Sequence, residues 1–199
     1  MNVEVHFSVM GFSNCFLVAA ESPQRGKTTE SEKRDTKEAL LIDPGIFDES
    51  LLMLIEGNHY EIKHVLLTHN HQSHVHGLKT LKKIYAASVY ARSPVVEGFR
   101  TNVLKDGDTI NLSNVCITVI EVPGHSEDSL VFKMENILFT GDAIGAGRIG
   151  NTHDSTMRSL LIDTLEEKIL SIPGNLFIFP GHGPLSTLDA ERNFNADLL

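Results

Sequence analysis

Five apolar runs in this chain end in the same way. EALLI runs into Asp43, HVLLT into His69 and His71, ITVIEVPG into His125, NILFTG into Asp142, and NLFIFPG into His182. Runs of this length rich in Val, Ile, Leu and Phe read as strands. Core strands bury their middles, and the segments just beyond their ends are where sheets carry chemistry. A chain built this way is constrained to gather imidazoles and carboxylates at strand ends. Pro-Gly-His also occurs twice, at 123–125 and 180–182, each time behind a strand. Glycine there permits a tight turn that swings the histidine outward, and the repetition points to two halves of similar construction.

Helical patterns lie between some of these strands. Residues 49–56 place Leu51, Leu52, Leu54 and Ile55 on one face, with Asp48 as cap and Gly57 beyond. Residues 78–86 carry Leu78, Leu81 and Ile84. Residues 156–170 form the longest helix, capped by Asp154 or Ser155, and a short helix is expected after Ser186. At the start, Val3, Val5, Phe7 and Val9 alternate with Asn2, Glu4, His6 and Ser8, which predicts the first strand of a hairpin with Met10 and Phe12 at its tip. Together these elements predict a mixed α/β chain. Residues 21–38 hold ten charges of both signs and no aliphatic side chain, and read as a polar, flexible loop. Cys15 and Cys116 sit in apolar strand-like sequence and are expected as buried free thiols.

Residues 68–77, THNHQSHVHG, concentrate the chemistry. Imidazole and carboxylate are the ligands of zinc and iron. His69 and His71, two apart on an extended segment, can face one ion, while His74 lies beyond a turn and faces a second position. His76 reads as a surface or capping histidine, and His6, His59 and His64 as structural ones. Glu127 and Asp128 are expected to shape the turn after His125. The run GAGRIG at 145–150 matches a dinucleotide-loop spacing. No helix opens inside it and no acidic residue follows on the next strand's end, so a glycine-containing loop is expected. Arg148 in that loop is a weak candidate for pairing with a substrate carboxylate, with a structural ion pair as the competing reading.

The motifs LIDPG, THNHQSH, PGH, TGD and PGHGP, in this order, resemble those of the metallo-β-lactamase-fold hydrolases over nearly the whole chain. The resemblance implies a four-layer αβ/βα sandwich, one domain over 1–199, with a metal site at one edge of its two sheets. It implies one ion on His69, His71 and His125, and Asp142 bridging to a second ion held by His74 and His182. Asp43 would orient the ligand loops without touching metal. The family pattern Thr-His-x-His-x-Asp-His is kept at Thr68, His69, His71 and His74, but Ser73 stands where the family has aspartate, which weakens the second position.

The segment GDAIGAGRIGNTHDS…PGHGP is most similar to the small glyoxalase II-like branch, whose members hydrolyse thioesters such as S-lactoylglutathione. The implied activity is metal-dependent hydrolysis of a small thioester or ester, with one or two Zn²⁺ per chain (Fe or Mn being the other candidates). Zinc lowers the pKa of its water to about 7 and so supplies hydroxide as nucleophile. With the second position empty, His74 or His182 becomes a general base beside Asp142. Two alternatives stand next to this: a mononuclear iron enzyme resembling persulfide dioxygenases on His69, His125 and Asp142, and a metal-binding scaffold with degenerate activity. Only 17 residues follow His182, so the C-terminal helical domain of larger glyoxalase II enzymes is expected to be missing.

Bulk properties narrow the partners. A formal net charge of −9 disfavours nucleic acid and anionic membrane, and no apolar run is long enough to span a bilayer. VMGFSNCFLVAA is preceded by Glu4 and by no Lys or Arg, unlike an export signal, so a cytoplasmic location and a small-molecule substrate are expected. The oligomeric state is left open.

Overall fold

A computed structural model describes residues 1–8, 11–20 and 36–199. The first half runs β1 (Asn2–Phe7), β2 (Asn14–Ala19), β3 (Lys37–Ile42), α1 (Glu49–Gly57), β4 (Tyr60–Leu66), α2 (Gln72–Val75), α3 (Leu78–Ile84), β5 (Ser88–Ala91), a small hairpin of β6 (Val95–Val96) and β7 (Phe99–Arg100), and β8 (Asn102–Val103). The second half runs β9 (Thr109–Leu112), β10 (Val115–Glu121), β11 (Leu130–Met134), β12 (Ile137–Gly141), a second small hairpin of β13 (Ile144–Gly145) and β14 (Arg148–Ile149), α4 (Ser155–Leu165), β15 (Phe177–Pro180), β16 (Ser186–Thr187) and α5 (Leu188–Phe194). Each half contributes one six-stranded sheet, β1-β2-β3-β4-β5-β8 and β16-β15-β12-β11-β10-β9.

Burial defines the layers. β2 is apolar at every second position on both faces because both faces are covered. Cys15, Leu17 and Ala19 pack with Leu51, Ile55, Leu78 and Leu81 of α1 and α3. Phe16 and Val18 turn the other way, into the space between the sheets, with Ile42, Leu66, Val119, Phe132 and Phe139. A third cluster lies between the second sheet and its helices, with Leu138 and Ile178 against Leu161, Leu165 and Leu188. The order is therefore helices, sheet, sheet, helices: a four-layer αβ/βα sandwich. Phe16, Phe139 and Phe179 meet at ring-centroid distances of 5.1–5.5 Å in the middle of it, contacts worth about 1 kcal/mol per pair beyond area burial.

The helices begin where the sequence places them. The Asp48 carboxylate accepts from Leu51 N at 2.9 Å and caps α1, and Asp154 accepts from Met157 N at 2.9 Å and caps α4. The predicted helix over 156–170 is α only to Leu165 and continues as a wider π turn over Glu166–Leu170.

Two expectations are corrected. Cys116 is exposed: on β10 it alternates with the buried Val115 and Ile117 and shares the outer face with Thr118. The predicted first strand is β1, at the edge of its sheet, with Val3 packed against the core and Val5 and Phe7 47% and 50% exposed. Of the polar loop over 21–38, Lys37 and Glu38 belong to β3, and 21–35 lie outside the described residues, as does Met10.

The layering puts Asp43, Thr68–His74, His125, Asp142 and His182 in loops that follow β3, β4, β10, β12 and β15. Backbone hydrogen bonds join these loops across the two sheets, from Leu130 N to Thr68 O at 2.7 Å and from Asn14 N to Gly181 O at 2.7 Å, and within the second sheet Gly181 N donates to Gly141 O at 2.7 Å.

Candidate metal centre

The site is organised from behind by Asp43, which is 1% exposed and takes a left-handed backbone at φ +51°. One carboxylate oxygen accepts from Thr68 N at 2.8 Å. The other accepts from Thr68 Oγ1 at 2.6 Å and from His74 Nδ1 at 2.9 Å. The end of β3 thus fixes the ligand loop that follows β4.

These bonds also decide which ring nitrogens carry protons, because a carbonyl or carboxylate can only accept. His74 Nδ1 donates to Asp43. Thr68 Oγ1 has spent its proton on Asp43, so it accepts from His69 Nδ1 at 3.0 Å. His125 Nδ1 donates to the Asn151 carbonyl at 2.7 Å, and His182 Nδ1 to the Phe12 carbonyl at 3.1 Å. In its neutral form each of these four rings presents an unprotonated Nε2. Such outer partners of ligating histidines set tautomer and ring orientation.

The free nitrogens converge. His71 Nδ1 lies 3.0 Å from His69 Nε2 and 3.0 Å from His125 Nε2, while Asp142 Oδ2 lies 3.8 Å from His69 Nε2 and 3.6 Å from His125 Nε2. Donors around a tetrahedral ion sit about 3.3 Å apart, so this group of three imidazoles and one carboxylate has the dimensions and the chemistry for zinc or a similar divalent cation. A second group, His74, Asp142 and His182, shares the carboxylate: His74 Nε2 is 3.3 Å from His182 Nε2 and 3.4 Å from Asp142 Oδ1. Asp142 Oδ1 is buried and accepts no hydrogen bond among the described residues, and a buried carboxylate oxygen facing lone pairs is a place for positive charge.

The electrostatics point the same way. Burial and the neighbouring His74 push His69 down to about 3, so it is a neutral donor. Burial opposes charge on His74, but the Asp43 and Asp142 carboxylates outweigh it and push that imidazole up to about 10. Burial would raise the Asp142 carboxyl, yet the cationic His74 imidazole 3.4 Å away holds it well below the usual carboxylate range. In the absence of an ion, a proton on His74 satisfies the demand for a cation between two carboxylates.

The expected ligands His69, His71, His74, His125, Asp142 and His182 are all brought together. Ser73 belongs to neither donor group. Neither does His76, whose Nδ1 meets the Gln72 side chain at 3.1 Å. Asp128 accepts from Ser93 and Ser126 and shapes the turn after His125, as expected. The acceptors that orient His125 and His182 were not foreseen: backbone carbonyls carry no sequence signal.

Asp142, His125 and His182 open onto a cleft of about 450 Å³ whose far wall is the β13–β14 hairpin with Arg148. GAGRIG is thus a two-stranded hairpin and not the start of a helix. Arg148 is exposed, and the Arg158 guanidinium, helped by the Arg148 charge, holds the Asp197 carboxyl below its usual value.

The family model of the metallo-beta-lactamase superfamily matches residues 32–191. Hydroxyacylglutathione hydrolase 1 of Vibrio vulnificus is 30% identical over 139 residues, 67% of this chain and 56% of that protein, so the chain spans little more than half the length of this curated relative. Among solved structures, the BLEG-1 B3 metallo-beta-lactamase superposes with a TM-score of 0.82 at 23% identity, covering 99% of each chain. TTHA1623 in a di-iron-bound form superposes with 0.77 at 24% identity, covering 98% of this chain and 99% of that one.

Proposed function

This chain belongs to the metallo-β-lactamase superfamily, and we propose that it is a metal-dependent hydrolase of a small thioester or ester. One observation carries the reading. Four histidines have Nδ1 tied to oxygen acceptors and Nε2 turned inward toward the same carboxylate, Asp142. The similarity to a hydroxyacylglutathione hydrolase supports a thioester over other acyl compounds.

His69, His71, His125 and Asp142 would hold one ion, zinc by the preponderance of imidazole; His74, Asp142 and His182 would hold a second more weakly, because Ser73 adds no negative charge. When bound, the ion polarises the substrate carbonyl and lowers the pKa of water at the site. The protein's own part is orientation and proton handling. Asp43 keeps the ligand loop rigid and His74 fixed. His74 is fully buried and cannot reach substrate, whereas the His182 side chain is 38% exposed to the cleft. With the second group empty, His182 Nε2 is the base that takes a proton from the attacking water and returns it to the leaving thiolate or alkoxide. Arg148, across the cleft, offers a guanidinium to a substrate carboxylate.

The test is thioester cleavage by purified protein with metal analysis alongside. Cleavage that is lost in His71→Ala and not restored by added metal supports the assignment. Bound metal with no turnover across ester and thioester panels would make the chain a scaffold, and oxygen uptake with a persulfide would make it an iron oxygenase.

A further inference from the structure

We propose that Ser13 and Asn14, at the turn of the first hairpin, are positioning residues that tie the first and last ligand loops together and so set the separation of His74 and His182. Both side chains are buried, Ser13 at 0% and Asn14 at 5% exposure. Asn14 spends both protons of its amide on the carbonyls that flank the Gly181–His182 segment, Pro180 O at 2.9 Å and Gly183 O at 2.9 Å. Its backbone N–H donates to Gly181 O at 2.7 Å. One residue earlier, Ser13 forms an isolated bridge with His182, and the Phe12 carbonyl holds His182 Nδ1.

The opposite side of the same turn grips the other loop. Ser13 Oγ donates to the Ser73 carbonyl at 2.7 Å, immediately before His74. Gly11, at φ +70°, lies so close to Ser73 that a Cβ on it would stand 2.6 Å from the Ser73 Cβ. The turn from Gly11 to Asn14 therefore touches both loops, Gly11 and Ser13 on the Ser73 side and Phe12, Ser13 and Asn14 on the His182 side. Those loops are 108 residues apart in the chain and supply two of the three donors of the second group. Because Ser73 brings no carboxylate, that group has no spare donor, and its competence depends on where the hairpin turn holds His182.

A buried asparagine that only stabilised a turn would lower stability and nothing else. The proposal asks for more, and the functional part of it rests on the metal-hydrolase reading. The experiment compares wild type with Asn14→Ala and with Asn14→Asp, which keeps the shape but cannot donate to two carbonyls. The first readout needs no bound metal: the His182 Nδ1 proton followed by ¹⁵N-resolved NMR in the protein as purified. It is expected to be protected from exchange in wild type, and to exchange rapidly or shift in both variants. The second readout is a cadmium titration. Affinity at the His74–Asp142–His182 group is expected to fall about 10–100-fold, with the His69–His71–His125 group unchanged. If Asn14→Ala does not fold, Asn14→Asp and Ser13→Ala are read in the same way. A lower melting temperature with an unaltered His182 proton overturns the proposal, as does an altered proton with unaltered cadmium binding at the second group. If wild type binds cadmium at only one group, the His182 proton alone decides. No cadmium binding to wild type, with the His182 proton protected, would sink the metal reading and leave the tie in place.

Discussion

His74 Nδ1 and Asp43 Oδ2 stand 2.9 Å apart, with side chains 0% and 1% exposed. Asp43 also accepts both the N–H and the hydroxyl of Thr68, so one carboxylate carries three bonds that no water can replace. Asp43→Asn tolerates the left-handed backbone but removes the charge and turns at least one bond into a clash of donors. The expected cost is about 2–3 kcal/mol in urea unfolding, with a fall in metal affinity of about 10–100-fold. Unchanged stability and affinity would show that Asp43 is not the organiser of the loop.

On the proposed reading, Ser73 limits the second group. Ser73→Asp is expected to raise the metal retained after dialysis from about one to two equivalents per chain, read by elemental analysis. Gly11 crowds Ser73 from one side, so the gain is expected together with a small loss of thermal stability. Two equivalents already present in wild type would contradict this.

Asp48 gives a pH signature away from the metal groups. Burial alone would raise its carboxyl, but hydrogen bonds from Leu51 N and Ser50 Oγ and the nearby His6 outweigh it and hold the pKa below the usual value. A lowered folded pKa adds stability above the unfolded value, about 3.9, and that stability is lost as pH falls through the folded value. Asp48→Ala is expected to cost about 1 kcal/mol at pH 7 as a lost helix cap, and the gap to wild type should close at acid pH below that range. A gap that persists there would mean that packing, not the charged cap, is what Asp48 supplies.

The two thiols should separate in reactivity. Cys15 is fully buried, and burial, helped by the Asp43 and Asp48 charges, pushes its thiol up. Cys116 is exposed. A thiol reagent is expected to modify one cysteine in the native protein and two after denaturation.

Arg148 lines the cleft. Arg148→Ala is expected to raise KM about tenfold for a thioester bearing a carboxylate, with kcat and neutral substrates little affected. An equal effect on neutral substrates would remove Arg148 from the binding site.

Most of the donor residues that the fold brings together were legible because they stand just beyond an apolar run, where burial gives way to an open edge; His125 and His182, each closing a Pro-Gly-His copy, are clear examples. The helices were legible from their caps, Asp48 and Asp154. What could not be read is the work done by atoms every residue has: the Phe12 and Asn151 carbonyls orient His182 and His125, and any side chain at 12 or 151 offers the same oxygen. Asn14 sits in SNCFLV, which reads only as the start of a strand. Cys116 was misread because its neighbours are apolar. The alternation of Val115, Ile117 and Val119 with Cys116 and Thr118 held the correct answer. Val5 and Phe7 show the reverse limit: alternation reveals a strand, but not that the strand lies at an edge.

The Nδ1 anchors have a consequence for how the protein is made. His74 reaches back 31 residues to Asp43, His125 forward 26 to Asn151, and His182 back 170 to Phe12. Contacts of such separation carry a loop-closure cost that neighbouring pairs do not. A nascent chain that has exposed His69, His71 and His74 already holds Thr68 and Asp43, the Nδ1 partners of His69 and His74, but neither His125 with Asn151 nor His182. Only when β15 docks and His182 meets the hairpin turn is the set complete, so on the proposed metal reading the second group is assembled last.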